Sequence, residues 1–294
     1  MDEHVRQAPA AALRPYLAWY VGYRQRDLRP AVHRGLPSPF LTLIFTLDEP
    51  LTTAAHPDPA QRPGSFTTLL GGLHSAPTLI VHQGAQSGVQ IALKPLGARA
   101  LLGLPAGEIA HIDVPADAVL GPVATRIYQR LGAAGGWPER FAILDEELTR
   151  LVVAGQRSPE AGPEISYAWR LLLGSGGAMP VAELAERTGW STRHLANRFR
   201  EEVGLTPKAA ARVVRFSRAR RRLVRDNGPV SLGTLASRGS LASRGTLAEL
   251  AVACGYFDQA HLAREFRALA GCPPSQWLAE EFANVQAGAW LAGE

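Results

Sequence analysis

The sequence predicts an α+β protein in which a small N-terminal β-domain with helices precedes an all-α domain of two helix-turn-helix units. Three observations support this prediction. Strand-like segments lie in the first half of the 294 residues, whereas the second half reads as helix and contains an internal repeat. The excess positive charge also lies in the second half, because residues 163–294 carry 17 Lys and Arg against 12 Asp and Glu, while residues 1–162 carry 14 of each.

Length and composition narrow the class of protein. A length of 294 residues predicts about two domains, and 46% apolar residues are enough to bury a core in each. No uncharged apolar run of 18 residues is present, and the acidic start at Asp2 and Glu3 does not resemble a signal peptide. The only two cysteines, Cys254 and Cys272, exclude a disulfide scaffold. We therefore expect a cytoplasmic protein with reduced, buried thiols.

The first half predicts short strands followed by helices. An aromatic-rich segment at 12–23 comes first, and the predicted strands then lie at 40–47, 66–70, 77–83 and 88–94. Helical spacing of apolar residues predicts helices at 97–103, 119–131 and 138–154. The composition of residues 155–163 is that of a linker. These patterns divide the chain into a domain at 1–158 and a domain at 163–282.

No catalytic or metal-binding pattern is found in the β-domain sequence. Its histidines are not paired on a strand, and it contains no cysteine, phosphate-binding loop or nucleophile elbow. We therefore predict no catalytic residues, no metal and no cofactor, and a domain that binds an effector or dimerises. Candidate effector-pocket residues are Trp19, Tyr20, His33 and Arg34. The alternative for Trp19 and Tyr20 is ordinary core packing.

The second half contains two copies of one pattern. The first copy comprises Leu184, Ala185, Gly189, Trp190, Leu195, Phe199, Gly204 and Pro207. The second comprises Leu250, Ala251, Gly255, Tyr256, Leu262, Phe266, Gly271 and Pro274. The offset is 66 residues up to the glycine–aromatic pair and 67 after it, so the second copy has one additional residue in its turn. Eight positions repeated in order indicate two copies of one supersecondary unit.

Each copy has the features of a helix-turn-helix unit. Gly189 and Gly255 are suited to the left-handed C-cap of a short first helix. Ser191 and Asp258 provide N-cap oxygens for the following helix, whose leucine and phenylalanine four residues apart face the core. This arrangement places a second helix in the major groove of DNA.

The outward faces of the two predicted recognition helices carry side chains suited to DNA. Candidate base contacts are Arg193, Asn197, Gln259, His261 and Arg264. Candidate phosphate contacts are Thr192, His194, Arg198, Arg200 and, on a basic segment between the units, Arg215 and Arg221. The alternative is a solvated helix face, but two copies with basic flanks favour DNA contact.

Residues 163–282 resemble the AraC/XylS-type DNA-binding domain of bacterial transcription regulators. The resemblance is carried by PVAELAERTGWSTRHLANRF from residue 180, GLTP from 204, LAELAVACGYFDQAHLAREF from 247 and GCPPSQW from 271. It implies two units joined by a long helix at 207–226, with recognition helices in successive major grooves ~34 Å apart. The five candidate base contacts fall at positions where the family reads bases. The family often has arginine in place of Asn197, so the base read there stays open.

The resemblance also implies a function for the whole chain. Many such regulators carry a cupin-like N-terminal barrel, for which residues 30–95 are the candidate. The implied function is a transcription activator or repressor that binds double-stranded DNA, and RNA polymerase, a small-molecule effector and a second copy of the chain are its open partners; no membrane is among them. An enzyme such as a DNA repair methyltransferase would need a cysteine acceptor or a metal triad before residue 160. An architectural DNA binder would not need the β-domain.

One segment is not expected from the resemblance. Residues 235–240 (LASRGS) are followed at once by 241–246 (LASRGT), and removal of 232–246 would restore the family pattern. We therefore predict an insertion at 232–246 that forms a mobile excursion, with an intact helix-turn-helix core at 247–270 behind it.

Overall fold

The structure is a computed structural model that describes residues 3–155, 160–227 and 246–282. Ten strands occupy the described part of the N-terminal half. They are β1 (Glu3–Gln7), β2 (Leu17–Gln25), β3 (Ala31–Gly35), β4 (Leu41–Thr46), β5 (Leu51–Ala55), β6 (Gly64–Phe66), β7 (Thr68–Gly71), β8 (Thr78–His82), β9 (Gln86–Leu93) and β10 (Asp113–Pro115).

The strands form two antiparallel sheets. The larger sheet has the order β1-β2-β9-β4-β7-β10, and the smaller has the order β3-β8-β5-β6. Each pair of hydrogen-bonded neighbours is antiparallel, and the predicted N-terminal β-domain is confirmed. The sheets face each other across a cavity lined by both, for example by Ile44 and Gln90 of the larger sheet and Ile80 of the smaller.

The structure places a strand in a segment for which none was predicted, and it divides one predicted strand into two. The segment at 12–23 contains most of β2, a long strand of the larger sheet that pairs with β1 and β9. The single strand predicted at 66–70 is two strands, because the chain leaves the smaller sheet after Phe66 and enters the larger one at Thr68. Local sequence patterns describe neither the sheet order nor this change of sheet.

The larger sheet packs its second face against helices. The N-terminal helices are α1 (Ala98–Leu102), α2 (Asp117–Leu120), α3 (Pro122–Ala133) and α4 (Trp137–Gly155). Tyr20 of β2 stacks on Phe141 of α4 with ring centroids 6.0 Å apart, and its hydroxyl donates to Asp145 at 3.0 Å. The predicted helices at 97–103, 119–131 and 138–154 are present, the second interrupted at Gly121.

A buried carboxylate joins α3 to α4. Glu147 is 1% exposed and accepts hydrogen bonds from Arg126, Arg130 and Arg150. The hydrogen bonds from these arginines, of which that from Arg126 has the largest effect, hold the pKa of Glu147 below its ordinary value despite its burial. The cluster compensates the cost of burying the charge.

The C-terminal part is helical, as predicted. Its helices are α5 (Pro163–Gly174), α6 (Val181–Thr188), α7 (Thr192–Val203), α8 (Pro207–Asn227), α9 (Leu247–Ala253), α10 (Gln259–Ala270) and α11 (Pro274–Phe282). The long helix α8 lies between the two units and contacts both α7 and α10. Phe216 of α8 packs edge-to-face on Phe266 of α10 with centroids 4.8 Å apart.

Two predicted features lie partly or mostly outside the described residues. The described parts of the linker at 155–163 are the end of α4, irregular residues 160–162 and the start of α5. The insertion predicted at 232–246 is described only at Thr246, which caps α9. Helices α9 and α10 follow it with their buried leucines Leu250 and Leu262 in place.

Candidate nucleic-acid interface

The first helix-turn-helix unit is formed by α6 and α7. Helix α6 ends at Gly189, whose φ of 71° is the left-handed conformation that glycine adopts without strain. Ser191 caps α7, because its hydroxyl accepts a hydrogen bond from the His194 backbone N–H at 3.2 Å. Leu195 and Phe199 are fully buried, so they fix which face of α7 is left outward.

The second unit repeats this construction with α9 and α10. Thr246 and Glu249 form a capping box that begins α9, and Gly255 has a φ of 80° in the turn. Asp258 caps α10 by accepting a hydrogen bond from the His261 backbone N–H at 2.6 Å. In both units the histidine therefore occupies the third position of the recognition helix.

The two histidines also make the same aromatic contact. His194 lies edge-on to Trp190 with centroids 4.6 Å apart, and His261 lies edge-on to Tyr256 at 5.4 Å. The sequence prediction gave His194 to phosphate and His261 to a base, yet the structure places them at equivalent positions. The two units can therefore be aligned on these histidines. This alignment, the common frame, shows which outward residues occupy the same position in the two recognition helices.

Most of the predicted DNA-contacting residues on α7 and α10 face outward. Arg193, Asn197, Gln259 and Arg264 are exposed, and His261 is half-buried. Thr192, His194 and Arg200 are also exposed. Arg198 is half-buried and pairs with Glu201 at 2.5 Å. In the common frame Asn197 is equivalent to Arg264, so the two helices present different chemistry at the same position.

The two arginines predicted on the connecting helix are engaged inside the protein. Arg215 donates to the Gly177 carbonyl at 2.6 Å and its guanidinium lies 6.0 Å from the centre of the Tyr256 ring. Arg221 lines a cavity together with Pro39 and Phe40 of the β-domain, and burial, followed by the neighbouring Arg218, lowers its pKa. Both side chains therefore take part in the packing of α8.

The four residues predicted to line an effector pocket fall into two pairs, one in the core and one at the cavity between the sheets. Trp19 and Tyr20 are buried in the core at 2% and 0% exposure, as the packing alternative expected, and neither lines the cavity between the sheets. His33 and Arg34 do line that cavity.

The cavity between the sheets reaches the helical C-terminal part of the protein. It has a volume of about 90 Å³, and Arg220 of α8 forms part of its wall. Arg34 lines the same cavity and forms an ion pair with Glu280 of α11. The sequence prediction missed Arg220, although a signal was present: Arg220 falls on the apolar stripe of α8 that contains Phe216 and Leu223.

A second contact joins the β-domain to the first recognition helix. Arg99 of α1 donates two hydrogen bonds of 2.8 Å to Glu202 of α7, whose side chain is 3% exposed. Gly107 packs directly on the end of α7, and a Cβ atom there would lie 2.3 Å from the Glu201 carbonyl oxygen. The orientation of α7 is therefore tied to the β-domain.

Comparison with protein families places this geometry in a known class. A helix-turn-helix domain model of the AraC type matches residues 184–280, and a domain of unknown function (DUF6597) matches residues 5–115. The chain is a DNA-binding protein with two helix-turn-helix units. Residues 184–280 form an AraC-type helix-turn-helix domain, as the sequence resemblance predicted, and the chain is a DNA-binding transcription regulator.

Solved structures show the same two-domain fold. A structure of ToxT from Vibrio cholerae is 9% identical with a TM-score of 0.51, and the match covers 93% of this chain and 98% of that chain. A second ToxT structure, from strain O395, is 10% identical with a TM-score of 0.50, covering 94% and 98%. A third, of wild-type ToxT with bound unsaturated fatty acid, is 9% identical with a TM-score of 0.50, covering 92% and 96%. No curated protein sequence matches the chain.

No described helix is long and apolar enough to cross a membrane. No three His, Cys, Asp or Glu side chains in the described ranges lie together in a group that could hold a metal ion.

Proposed function

We propose that α7 and α10 read base edges in two successive major grooves. The proposal rests on one observation, that α7 and α10 are capped in the same way and oriented in the same way. Each helix exposes its polar face and buries its leucine and phenylalanine against the rest of the protein. Arg193 and Asn197 contact bases from α7, whereas Gln259, His261 and Arg264 do so from α10. Arginine suits guanine and asparagine suits adenine, so the two helices read different sequences.

The phosphate contacts come from the flanks of α7, where the contact residues are exposed except for the half-buried Arg198. Thr192, His194, Arg198 and Arg200 surround the base-reading residues of α7. Arg215 and Arg221 would contact phosphate only after leaving their present partners inside the protein. In this proposal the chain acts by binding its partners and catalyses no reaction. Its two domains are residues 1–158 and 163–282.

Two arginine variants and a matched control test this function. Arg193→Ala and Arg264→Ala should each weaken binding to a selected duplex by ~1–3 kcal/mol and relax the preference for one base. Arg62→Ala removes an exposed arginine from the β-domain and should leave affinity and preference unchanged. Equal affinity of all three variants and the wild type, measured by fluorescence anisotropy, would contradict the proposed interface.

We further propose that a small ligand in the cavity between the sheets regulates DNA binding. Arg34 and Arg220 line its wall together with Asp113, whose carboxylate is paired with His56, so a ligand carboxylate would bind the two arginines and replace Glu280 as the partner of Arg34. One similar ToxT structure holds an unsaturated fatty acid. The cavity of about 90 Å³ is well below the ~300 Å³ of typical ligand pockets, so a ligand of that size would displace Arg220 and with it α8.

A thermal-shift titration tests the ligand proposal separately from DNA binding. A monounsaturated fatty acid should raise the Tm of the wild type in proportion to the logarithm of its concentration and should have a much smaller effect on Arg220→Met. Arg218→Met, on the same helix but outside this cavity, is the control. An equal Tm shift in the wild type and Arg220→Met would contradict a ligand held by Arg220.

A further inference from the structure

The additional residue of the second helix-turn-helix unit is Phe257. In the first unit Ser191 follows Trp190 directly and caps α7. In the second unit the equivalent cap, Asp258, is separated from Tyr256 by one residue. Because the residues before and after this point match between the units, the change of offset from 66 to 67 is located at Phe257.

Phe257 is highly exposed. Its relative exposure of 89% is the largest among the large hydrophobic residues in the described ranges. The preceding Tyr256 is buried at 4%, so the turn buries one aromatic ring and presents the next one outward. Single exposed apolar side chains are common on protein surfaces, so the inference depends on where this aromatic ring lies and not on its exposure alone.

The position of Phe257 connects it with the proposed base-reading face. Its backbone N–H donates to Nδ1 of His261 at 3.3 Å, and Asp258 and Gln259 follow it at the start of α10. The first residues of a recognition helix are those that reach base edges. Phe257 is therefore adjacent to the surface that α10 would present to the major groove, and the first unit has no residue in the equivalent place.

We propose that Phe257 determines specificity by contacting the 5-methyl group of a thymine in the half-site read by α10. This inference rests on the proposed DNA-binding function. The thymine methyl is the apolar group that base pairs expose in the major groove, and apolar side chains contact it there. The two units thus differ in kind: α7 reads through polar groups only, whereas α10 adds an apolar contact to Gln259, His261 and Arg264.

The test removes the methyl group from the DNA and the ring from the protein. A duplex selected by the wild type is remade with each thymine replaced in turn by deoxyuridine, which lacks only the 5-methyl group. One replacement in the α10 half-site should weaken wild-type binding roughly fourfold, the effect of losing one buried methyl-sized contact. The same replacement should have no effect on Phe257→Ala, which should itself bind the thymine duplex about fourfold less tightly.

The test includes a control variant and names the results that would overturn the inference. Val252→Ala alters another exposed apolar side chain of this unit, 70% exposed on α9, and should keep the full response to deoxyuridine. The inference is overturned if the wild type binds its selected duplex but ignores every deoxyuridine replacement, or if Phe257→Ala responds as the wild type does. A wild type that selects no duplex would instead refute the underlying DNA-binding function.

Discussion

Replacement of Arg99 by methionine tests whether the β-domain holds the first recognition helix. In the wild type, Arg99 donates two hydrogen bonds of 2.8 Å to Glu202, and the Glu202 carboxylate is almost completely buried. Methionine keeps the aliphatic stem but leaves that carboxylate with Arg198, whose nearest guanidinium nitrogen is 3.8 Å away. The variant therefore leaves a buried charge poorly compensated.

The expected loss of stability follows from this geometry. Removing one partner of a fully buried ion pair costs about 3–5 kcal/mol. Arg99 retains 22% side-chain exposure and Arg198 compensates in part, so we expect a lower cost of about 2–3 kcal/mol. At ~2–4 °C per kcal/mol for a protein of this size, the Tm should fall by roughly 5–10 °C.

The assay is thermal unfolding of four proteins in a double-mutant cycle. Arg99→Met, Glu202→Gln and the double variant are compared with the wild type, and a coupling free energy above about 1 kcal/mol is expected. Arg187→Met is the control, because its pair with Glu183 is exposed and its loss should lower the stability much less than the loss of Arg99 does. The reasoning is refuted if Arg99→Met is no less stable than Arg187→Met or if the single effects add without coupling.

Three further predictions concern single residues. Gly107→Ala should lower the Tm and increase amide exchange in α7, because its Cβ would collide with the end of that helix, whereas Gly132→Ala in α3 has open space and should not; equal exchange in both variants would contradict this contact. The lowered pKa of Glu147 means that its ion pairs stabilise the protein above the unfolded-state pKa of about 4.3 and lose this effect as the pH falls through the lower folded pKa. The Tm difference between the wild type and Glu147→Gln should therefore be large at pH 7 and shrink below about pH 4, and a constant difference would count against it. Burial raises the pKa of both Cys254 and Cys272, so iodoacetamide should label them at pH 8 only after unfolding; rapid labelling of the native protein would disagree.

The helix-turn-helix units were predictable because their signals are local. A glycine in the turn, an N-cap residue and apolar residues four apart lie within about 20 residues, and the repetition excludes coincidence. The structure confirms Gly189, Ser191, Gly255 and Asp258 in these roles. The additional residue in the second turn was also visible, although its exposure was not.

The β-domain was less predictable because its contacts are long-range. Trp19 and Tyr20 of β2 are buried on opposite faces of the larger sheet. The strand therefore lacks the alternation of apolar and polar residues that marks a strand with one exposed face. The pairing of β3 with β8 likewise brings together residues nearly fifty positions apart. Such contacts are set by the packing of the whole domain, which is also why the cavity could not be located from the sequence.

The roles of individual arginines depended on the same long-range packing. Arg215, Arg220 and Arg221 belong to one basic run, yet Arg215 donates to a loop carbonyl, Arg220 lines the cavity between the sheets and Arg221 lines a second cavity with Phe40. Charge clustering alone predicts a phosphate-binding face for all three. Only the position of Arg220 on the apolar stripe distinguished it from its neighbours.

Half-site spacing tests the central claim most directly. The wild type should select a duplex with two preferred blocks about one helical turn apart, one altered by Arg193→Ala and the other by Arg264→Ala. Five additional base pairs between the blocks turn the second onto the opposite side of the duplex, while α7 and α10 stay joined through α8. We predict that this insertion reduces affinity to that for unrelated DNA; undiminished affinity would contradict a protein that reads two successive major grooves.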